Sequence, residues 1–349
     1  MTFYQLFILS CFKKDLEMRS STLYHLLKGK RTSSVLSYGY IYDVLPYFAL
    51  FPKLAETKYQ LIITNCVSQG FLMEKLPGYY YLTDLGEQQI KETQFPNIND
   101  LRQLNYYKWD MSFFDRLMFT SQVISEKAHD NKSYVPIEGN LFKQQRLKIW
   151  LKQQNDELEK EFYQEWVLLS SLMTKEATKM ILGQLSGHEH RGLTLNQIAS
   201  ETQQDMSYNY IQFKSYLHQM ISWILNQKEK FPLFYSILKE EIALTKVDSY
   251  IHSADLFYRG IAIDEVAFQR GLKVSTVTDH LIEDFILFPD SKKIPLFTPE
   301  KEQKLQDFYL DYSNIYSWTF KQALLYDPTL TFYEFKFYQF KLLKEEKND

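Results

Sequence analysis

Apolar positions recur at helical spacing along nearly the whole chain, and only one short stretch alternates as a pair of strands does. The most specific run is IAIDEVAFQRGLKVSTVTDHLIEDF, from Ile261 to Phe285. Val266 and Ala267 give a first helix one apolar and one small position, the small one where a second helix crosses closely. Gly271 follows, a residue that takes φ > 0 without steric cost as the chain leaves that helix. Ser275 reads as the N-cap of a second helix, Thr276 to Phe285, in which Val277 and Leu281 fall four apart on one face. This pattern predicts a helix-turn-helix.

The same reading predicts a winged helix from Arg19 to about Ile90. Ser20 or Ser21 caps a helix through Leu23, Leu26 and Leu27, and a second helix runs from Ser34 to Leu45, before Pro46. Thr57 opens a third, carrying Leu61, Ile62 and Val67 and stopped by Gly70. FLMEKLPGYYYL then reads as a hairpin turning at Pro77-Gly78, and Thr83 starts the next helix. Ahead of all this, MTFYQLFILSCFKK is short, with its lysines after the apolar stretch. It predicts a buried first strand or helix, not a secretory signal. No run approaches the roughly 20 apolar residues that span a bilayer.

A Pro/Asn stretch from Phe95 to Asn99 marks a boundary. Two long helical segments follow, Leu101 to His129 and Leu141 to Gly183. In the second, Lys152 to Glu161 is charged on nearly all sides, as in a connector helix with a spacer role. GLTLNQIASETQQDMSYNYIQF opens like another helix-turn-helix: Leu193, Ile198 and Ala199, a turn near Asp205, then Ile211, Leu217 and Ile221. Asp290 to Pro299 reads as a loop. Glu300 to Leu325 and Thr331 to Leu343 read as final helices, with Trp318, Phe320, Tyr333, Phe335 and Phe337 closing a core. The expected fold is mainly α: an N-terminal winged helix with a small β-hairpin (1–95), a helical connector (96–186), a helical segment opening like a second helix-turn-helix (187–250) and a C-terminal helix-turn-helix domain (251–349).

Charge changes the functional picture. The net charge is −3 and the pI about 6.2, so no global basic bias points to nucleic acid. The basic residues concentrate between Lys13 and Arg31, six against Asp15 and Glu17. Lys28, Lys30 and Arg31 are therefore the first candidates for phosphate contact. In the C-terminal motif the candidates are Arg270, Lys273, Ser275, Thr276 and Thr278. There, however, Asp255 to Pro289 holds three basic residues against six acidic ones. Asp279, Glu283 and Asp284 predict a face that docks on a basic protein partner.

Other chemistry is thin. Cys11 and Cys66 lack any CxxC spacing, which argues against a disulfide framework or a structural zinc and fits a reducing cytoplasm. His188-Glu189-His190 is not HExxH, so no metal site is expected, and no cofactor either. Gly29-Lys30-Arg31-Thr32 lacks the upstream glycine and the hydroxyl residue of a nucleotide loop. No nucleophile-base pair is visible, so no catalytic residue is expected and the chain reads as non-enzymatic.

DLFYRGIAIDEVAFQRGLKVSTVTDHL resembles the helix-turn-helix domain at the C-termini of many RecQ-type helicases. With YHLLKGKRTSSVLSYGY near the start, the wing YYYLTDLGEQQ and the order of the remaining segments, the chain resembles the YpbB family of Firmicute helix-turn-helix proteins, typically encoded beside such a helicase. The resemblance implies an accessory role in DNA metabolism, with DNA and a RecQ-type helicase as partners. It supplies no catalytic residues, and no Walker motif, DEAH-like box or nuclease carboxylate cluster is present. The alternative is a transcriptional regulator reading a specific sequence, which wants basic or amide side chains on the second motif helix.

Overall fold

Phe7, Ile8, Leu9, Cys11 and Phe12 are all buried, so the apolar start is an inner helix, α1 (Phe3–Ser10). The computed structural model describes residues 1–245, 249–288 and 297–348. It divides into two compact units: Met1–Phe7 with Glu92–Lys246, and Ile8–Lys91 with Val247–Asp349. The four consecutive segments expected from the sequence are thus grouped differently, the first and last forming one unit. Among the described residues, no helix is long and apolar enough to cross a membrane.

After α1 come β1 (Met18–Arg19), α2 (Ser20–Lys28), α3 (Ser33–Ile41) and a 3-10 turn at Leu45–Tyr47. Then follow α4 (Glu56–Ser68), β2 (Leu72–Leu76), β3 (Tyr79–Leu82) and α5 (Asp84–Lys91). The strands form an antiparallel sheet in the order β1-β3-β2, with Leu72 opposite Leu82 and a bulge between Glu74 and Leu76. The expected winged helix with its small hairpin is present.

Three local readings need correction. No side chain caps α2: Arg19 precedes it in extended backbone, and Ser20 is buried with its hydroxyl 3.3 Å from the Tyr59 hydroxyl. Helix α3 starts at Ser33, where Thr32 Oγ1 accepts from the Val35 N–H at 3.4 Å, and ends at Ile41, short of Leu45. In α4 the buried stripe is Tyr59, Ile62, Ile63 and Cys66, which fits i, i+3, i+4, i+7. Leu61 and Val67 lie outside it, 60% and 36% exposed.

The next unit holds α6 (Gln103–Tyr106), α7 (Asp110–Ala128), α8 (Leu141–Lys152), α9 (Leu158–Leu172), α10 (Lys175–Leu182), α11 (Leu195–Thr202), α12 (Met206–Asn226) and α13 (Pro232–Leu244). Trp150, Phe113, Phe162, Phe213 and Phe234 fill its core, so it is a packed body of its own. The charged stretch Lys152 to Glu161 is not one helix. The chain turns between α8 and α9, where the Asn155 side chain accepts from the Glu157 N–H at 2.9 Å, and a turn is polar on all sides because it faces water on all sides. Helix α11 carries a Thr194–Gln197 capping box, Gln203 takes the left-handed conformation (φ 55°), and Asp205 caps α12. A helix-turn-helix order is thus present, but from Ser207 to Leu225 no residue of α12 is exposed. That helix has no free face to lay in a groove.

Buried charge organises this unit. Asp110 Oδ2 accepts from the Lys214 ammonium and, at 2.8 Å, from His218 Nε2; the Arg102 N–H donates to His218 Nδ1 at 2.9 Å. The Asp110, Lys214 and His218 side chains are all buried. Burial opposes the charge of Asp110, but the imidazole hydrogen bond and the Lys214 charge hold its carboxyl below the ordinary range. Burial, with Lys214 and Arg102 nearby, pushes His218 down, and both ring nitrogens are committed in the neutral form. An unfolded imidazole binds a proton near pH 6.5, so acidification favours the unfolded chain. The expected loss is about 1 kcal/mol by about pH 5.5. The check is the melting temperature followed from about pH 7.5 to about 5.5. His218→Gln should flatten the decline, and an unchanged slope would rule His218 out as its source.

The last segment holds α14 (Ser249–Tyr258), α15 (Ile263–Arg270), α16 (Val274–Leu287), α17 (Pro299–Asp311), a 3-10 turn at Ile315–Ser317, α18 (Phe320–Ala323) and α19 (Phe332–Asn348). Val266, Ala267, Val277 and Leu281 are buried, as their spacing predicts. Gly271 has φ 62°, its N–H bonds Phe268 O, and the Leu272 N–H bonds Ala267 O, which closes α15 as a Schellman motif. Only Leu272 and Lys273 remain before α16. Lys273, extended, is therefore the N-cap, and Ser275 lies inside the first turn. The helix read from Glu300 to Leu325 stops at Asp311 and resumes as short turns. Trp318, Tyr333, Phe335 and Phe337 are buried, and Phe320 is half-buried. Most of the loop read from Asp290 to Pro299 lies outside the described residues.

Candidate nucleic-acid interface

The basic cluster is built on the turn between α2 and α3. Leu26 O accepts from both Gly29 N–H and Ala49 N–H at 2.9 Å, which ties the end of α2 to the following loop. Gly29 sits at φ 83°, and the two lysines flanking it, Lys28 and Lys30, are exposed. Among the described residues neither has an acidic partner; Lys28 lies 5.6 Å from the centre of the Tyr24 ring.

Arg31 differs. Its Nε donates to Glu283 Oε1 at 2.6 Å, with only 17% and 14% of the two side chains exposed, and its guanidinium lies 5.9 Å from the Tyr250 ring centre. Two residues on, the Ser33 hydroxyl donates to Asp279 Oδ1 at 2.5 Å. Tyr40 of α3 meets Phe285 of α16 edge-on at 6.2 Å, and Phe285 stacks on Phe340 of α19. The second helix of the C-terminal motif is thus packed on α3 within one unit. The outward face expected of Asp279, Glu283 and Asp284 therefore needs correction. Only Asp279 is exposed, whereas Asp284 is 2% exposed, its carboxylate beside Tyr258. Burial first, then Asp284, raises the Tyr258 hydroxyl pKa.

The remaining motif candidates divide. Arg270 donates to Ser249 O at 2.6 Å, Ser253 Oγ at 2.5 Å and Ser249 Oγ at 3.0 Å, so its guanidinium braces α14. Lys273 and Ser275 are exposed at the start of α16, while Thr276 and Thr278 are half-buried. His188 Nδ1 lies 3.2 Å from Glu126 Oε2, its ring stacks on His129 at 4.4 Å, and no group of three ligating side chains occurs among the described residues.

Beside Lys30 opens a cleft of about 520 Å³ that the sequence does not reveal. Arg19, Ser21, Thr22, His25, Ser34, Tyr38 and Tyr79 line it with Lys30. Sheet pairing of Arg19 with Tyr79 brings β1 and the wing to this place, a tertiary event without a periodic signal. Burial, then Lys30, lowers the pKa of His25; Glu56 acts against them, and Lys28 adds to the lowering.

Residues 249–339 match the family described as a helix-turn-helix domain. The chain carries a helix-turn-helix domain. The matched stretch begins with α14 and ends within α19, and it includes the Schellman turn at Gly271. Over 304 residues the chain is 21% identical to Protein YpbB of Bacillus subtilis (strain 168), covering 81% of this chain and 82% of that protein. No solved structure matches.

Proposed function

We propose that this chain is a cytoplasmic, non-enzymatic accessory protein of DNA metabolism that binds DNA through its N-terminal winged helix. The observation that carries this reading is the docking of α16 on α3. The Arg31–Glu283 and Ser33–Asp279 contacts keep the motif's second helix within the chain, while Lys28 and Lys30 face outward. A groove-entering role for α16 requires those contacts to break and sets acidic side chains toward phosphate. A RecQ-type helicase as partner rests on the family resemblance. A helicase docking on Glu283 and Asp284 would require α16 to leave α3 and α14, so we assign any docking in the closed chain to Asp279 alone of the three acids.

Salt titration tests the reading. Each cation withdrawn from a duplex phosphate flattens the slope of log K against log salt by about 0.9. Lys28→Ala with Lys30→Ala should flatten it by about 1.8. Adding Arg31→Ala should flatten it little further, because Glu283 already holds that guanidinium. An unchanged slope in the double variant removes both lysines from the interface.

A further inference from the structure

The turn from Gly187 to His190, which DNA binding leaves unused, lines a second cleft, of about 430 Å³, within the unit built around α7 and α12. Gly187 and His190 exchange backbone hydrogen bonds at 3.0 and 3.1 Å, with Glu189 in left-handed backbone (φ 54°). The turn is pinned to α7. The His188 N–H donates to Ser125 Oγ at 3.0 Å, and a Cβ on Gly187 would lie 2.5 Å from that oxygen. Helix α9 supplies Phe162, Tyr163 and Trp166 to the cleft, and Ile124 and Leu185 extend the apolar lining. Phe234 holds the Phe162 and Trp166 rings edge-on, at 5.2 and 4.9 Å. The Trp166 N–H is already given to Ser121 Oγ at 3.1 Å, so this indole offers the cleft carbon surface only.

The polar part of the lining is set by the imidazoles of His129 and His188, stacked at 4.4 Å with 19° between their planes. His129 Nδ1 lies 2.8 Å from Ser125 O, and a carbonyl only accepts, so Nδ1 carries the proton. His188 Nδ1 lies 3.2 Å from the Glu126 carboxylate, which also accepts from Asn131 Nδ2 at 2.7 Å, so the same tautomer holds there. Nε2 of a neutral imidazole protonated at Nδ1 is an acceptor. Among the described residues neither Nε2 has a hydrogen-bond partner. The lining holds no lysine or arginine, and its one carboxylate, Glu159, is 2.9 Å from the Lys127 ammonium. Rings without a polar atom to satisfy, acceptors without a donor and no unbalanced charge suit an uncharged aromatic ligand that brings its own donor. A cavity of about 150 Å³ holds a benzene, so this one has room for two or three fused rings. We propose that the cleft binds a neutral fused-ring aromatic molecule, its rings packed on Phe162 and Trp166 and its N–H or O–H group donating to His188 Nε2. This site is independent of DNA binding by the winged helix.

The test is isothermal titration calorimetry of the full chain at about pH 8, where an ordinary imidazole is neutral. The probes are indole and 1-methylindole, which share their rings, and of which indole alone has a donor. Indole should bind with a Kd of about 100 μM, as expected of a two-ring ligand. 1-Methylindole should bind about 10-fold more weakly, the size of one hydrogen bond. His188→Asn places an amide N–H where Nδ1 donates to Glu126 and puts nothing in place of Nε2, so it should cut the preference for indole to less than about 2-fold. Ala128 is exposed and lines the cleft, so Ala128→Trp should fill it and abolish binding of both probes at an unchanged melting temperature. Equal affinity of the parent for the two probes, a full preference for indole in His188→Asn, or undiminished indole binding in Ala128→Trp would each overturn the proposal. So would a parent that binds neither probe.

Discussion

Lys214→Ala should destabilise the unit built around α7 and α12 by about 3–5 kcal/mol. The substitution leaves the Asp110 carboxylate in the core without its cation, and Lys214, Asp110 and His218 are all buried. His218 remains as a neutral donor, with its other nitrogen taken by the Arg102 N–H, so it does not replace the missing charge. Removing both partners acts differently: replacing a buried pair by apolar side chains is often neutral. Asp110→Leu with Lys214→Met should therefore recover much of the stability. Tryptophan fluorescence in a denaturant titration reads this unit well, because Trp109, Trp150, Trp166 and Trp223 lie in it. A single variant within about 1 kcal/mol of the parent would mean that the network is not an ion pair.

The second large effect is at the turn that presents the two lysines. Gly29 has φ 83°, and a Cβ there would lie 2.6 Å from the Ala49 Cβ and 3.2 Å from the Ala49 Cα. The opposing segment has no room to retreat, since the Ala49 N–H bonds Leu26 O and the Phe51 N–H bonds Leu27 O, each at 2.9 Å. Left-handed backbone costs a non-glycine residue about 1–2 kcal/mol, and overpacking about 1–3 more. Gly29→Ala should therefore lose about 2–5 kcal/mol and weaken DNA binding with it. Gly271 is the control: it has φ 62°, but a Cβ there would meet open space. Gly271→Ala should cost only the backbone strain, about 1–2 kcal/mol. Equal losses at the two glycines would mean that the contact with Ala49 does not constrain the turn.

Features fixed by neighbours in sequence are legible. The αL turn at Gly271, the buried Val266, Ala267, Val277 and Leu281, and the Pro77-Gly78 hairpin all follow from local spacing. Features fixed by distant neighbours are not. Arg31 and Glu283 stand 252 residues apart, and either one alone reads as an ordinary surface charge. Glu283 and Asp284 read as outward because a charged helix face usually meets water; here α3 and α14 cover that face. Leu61 and Val67 suggest the wrong phase for α4 because they are apolar, yet Tyr59, Ile62, Ile63 and Cys66 make the continuous stripe. Tyr79 of the wing is brought beside Arg19 only when β1 pairs with β3.

Duplex binding by the full chain, compared between two charge-altered variants at one salt concentration, decides which end of the protein meets DNA. Lys28→Glu with Lys30→Glu reverses the exposed turn of the winged helix, and Lys273→Glu with Ser275→Glu makes the exposed start of α16 acidic. The first pair should lower affinity by about 100-fold or more, and the second by less than about 3-fold. The opposite outcome, normal binding by the first pair and abolished binding by the second, would put α16 in the groove and contradict the assignment of DNA to the N-terminal winged helix.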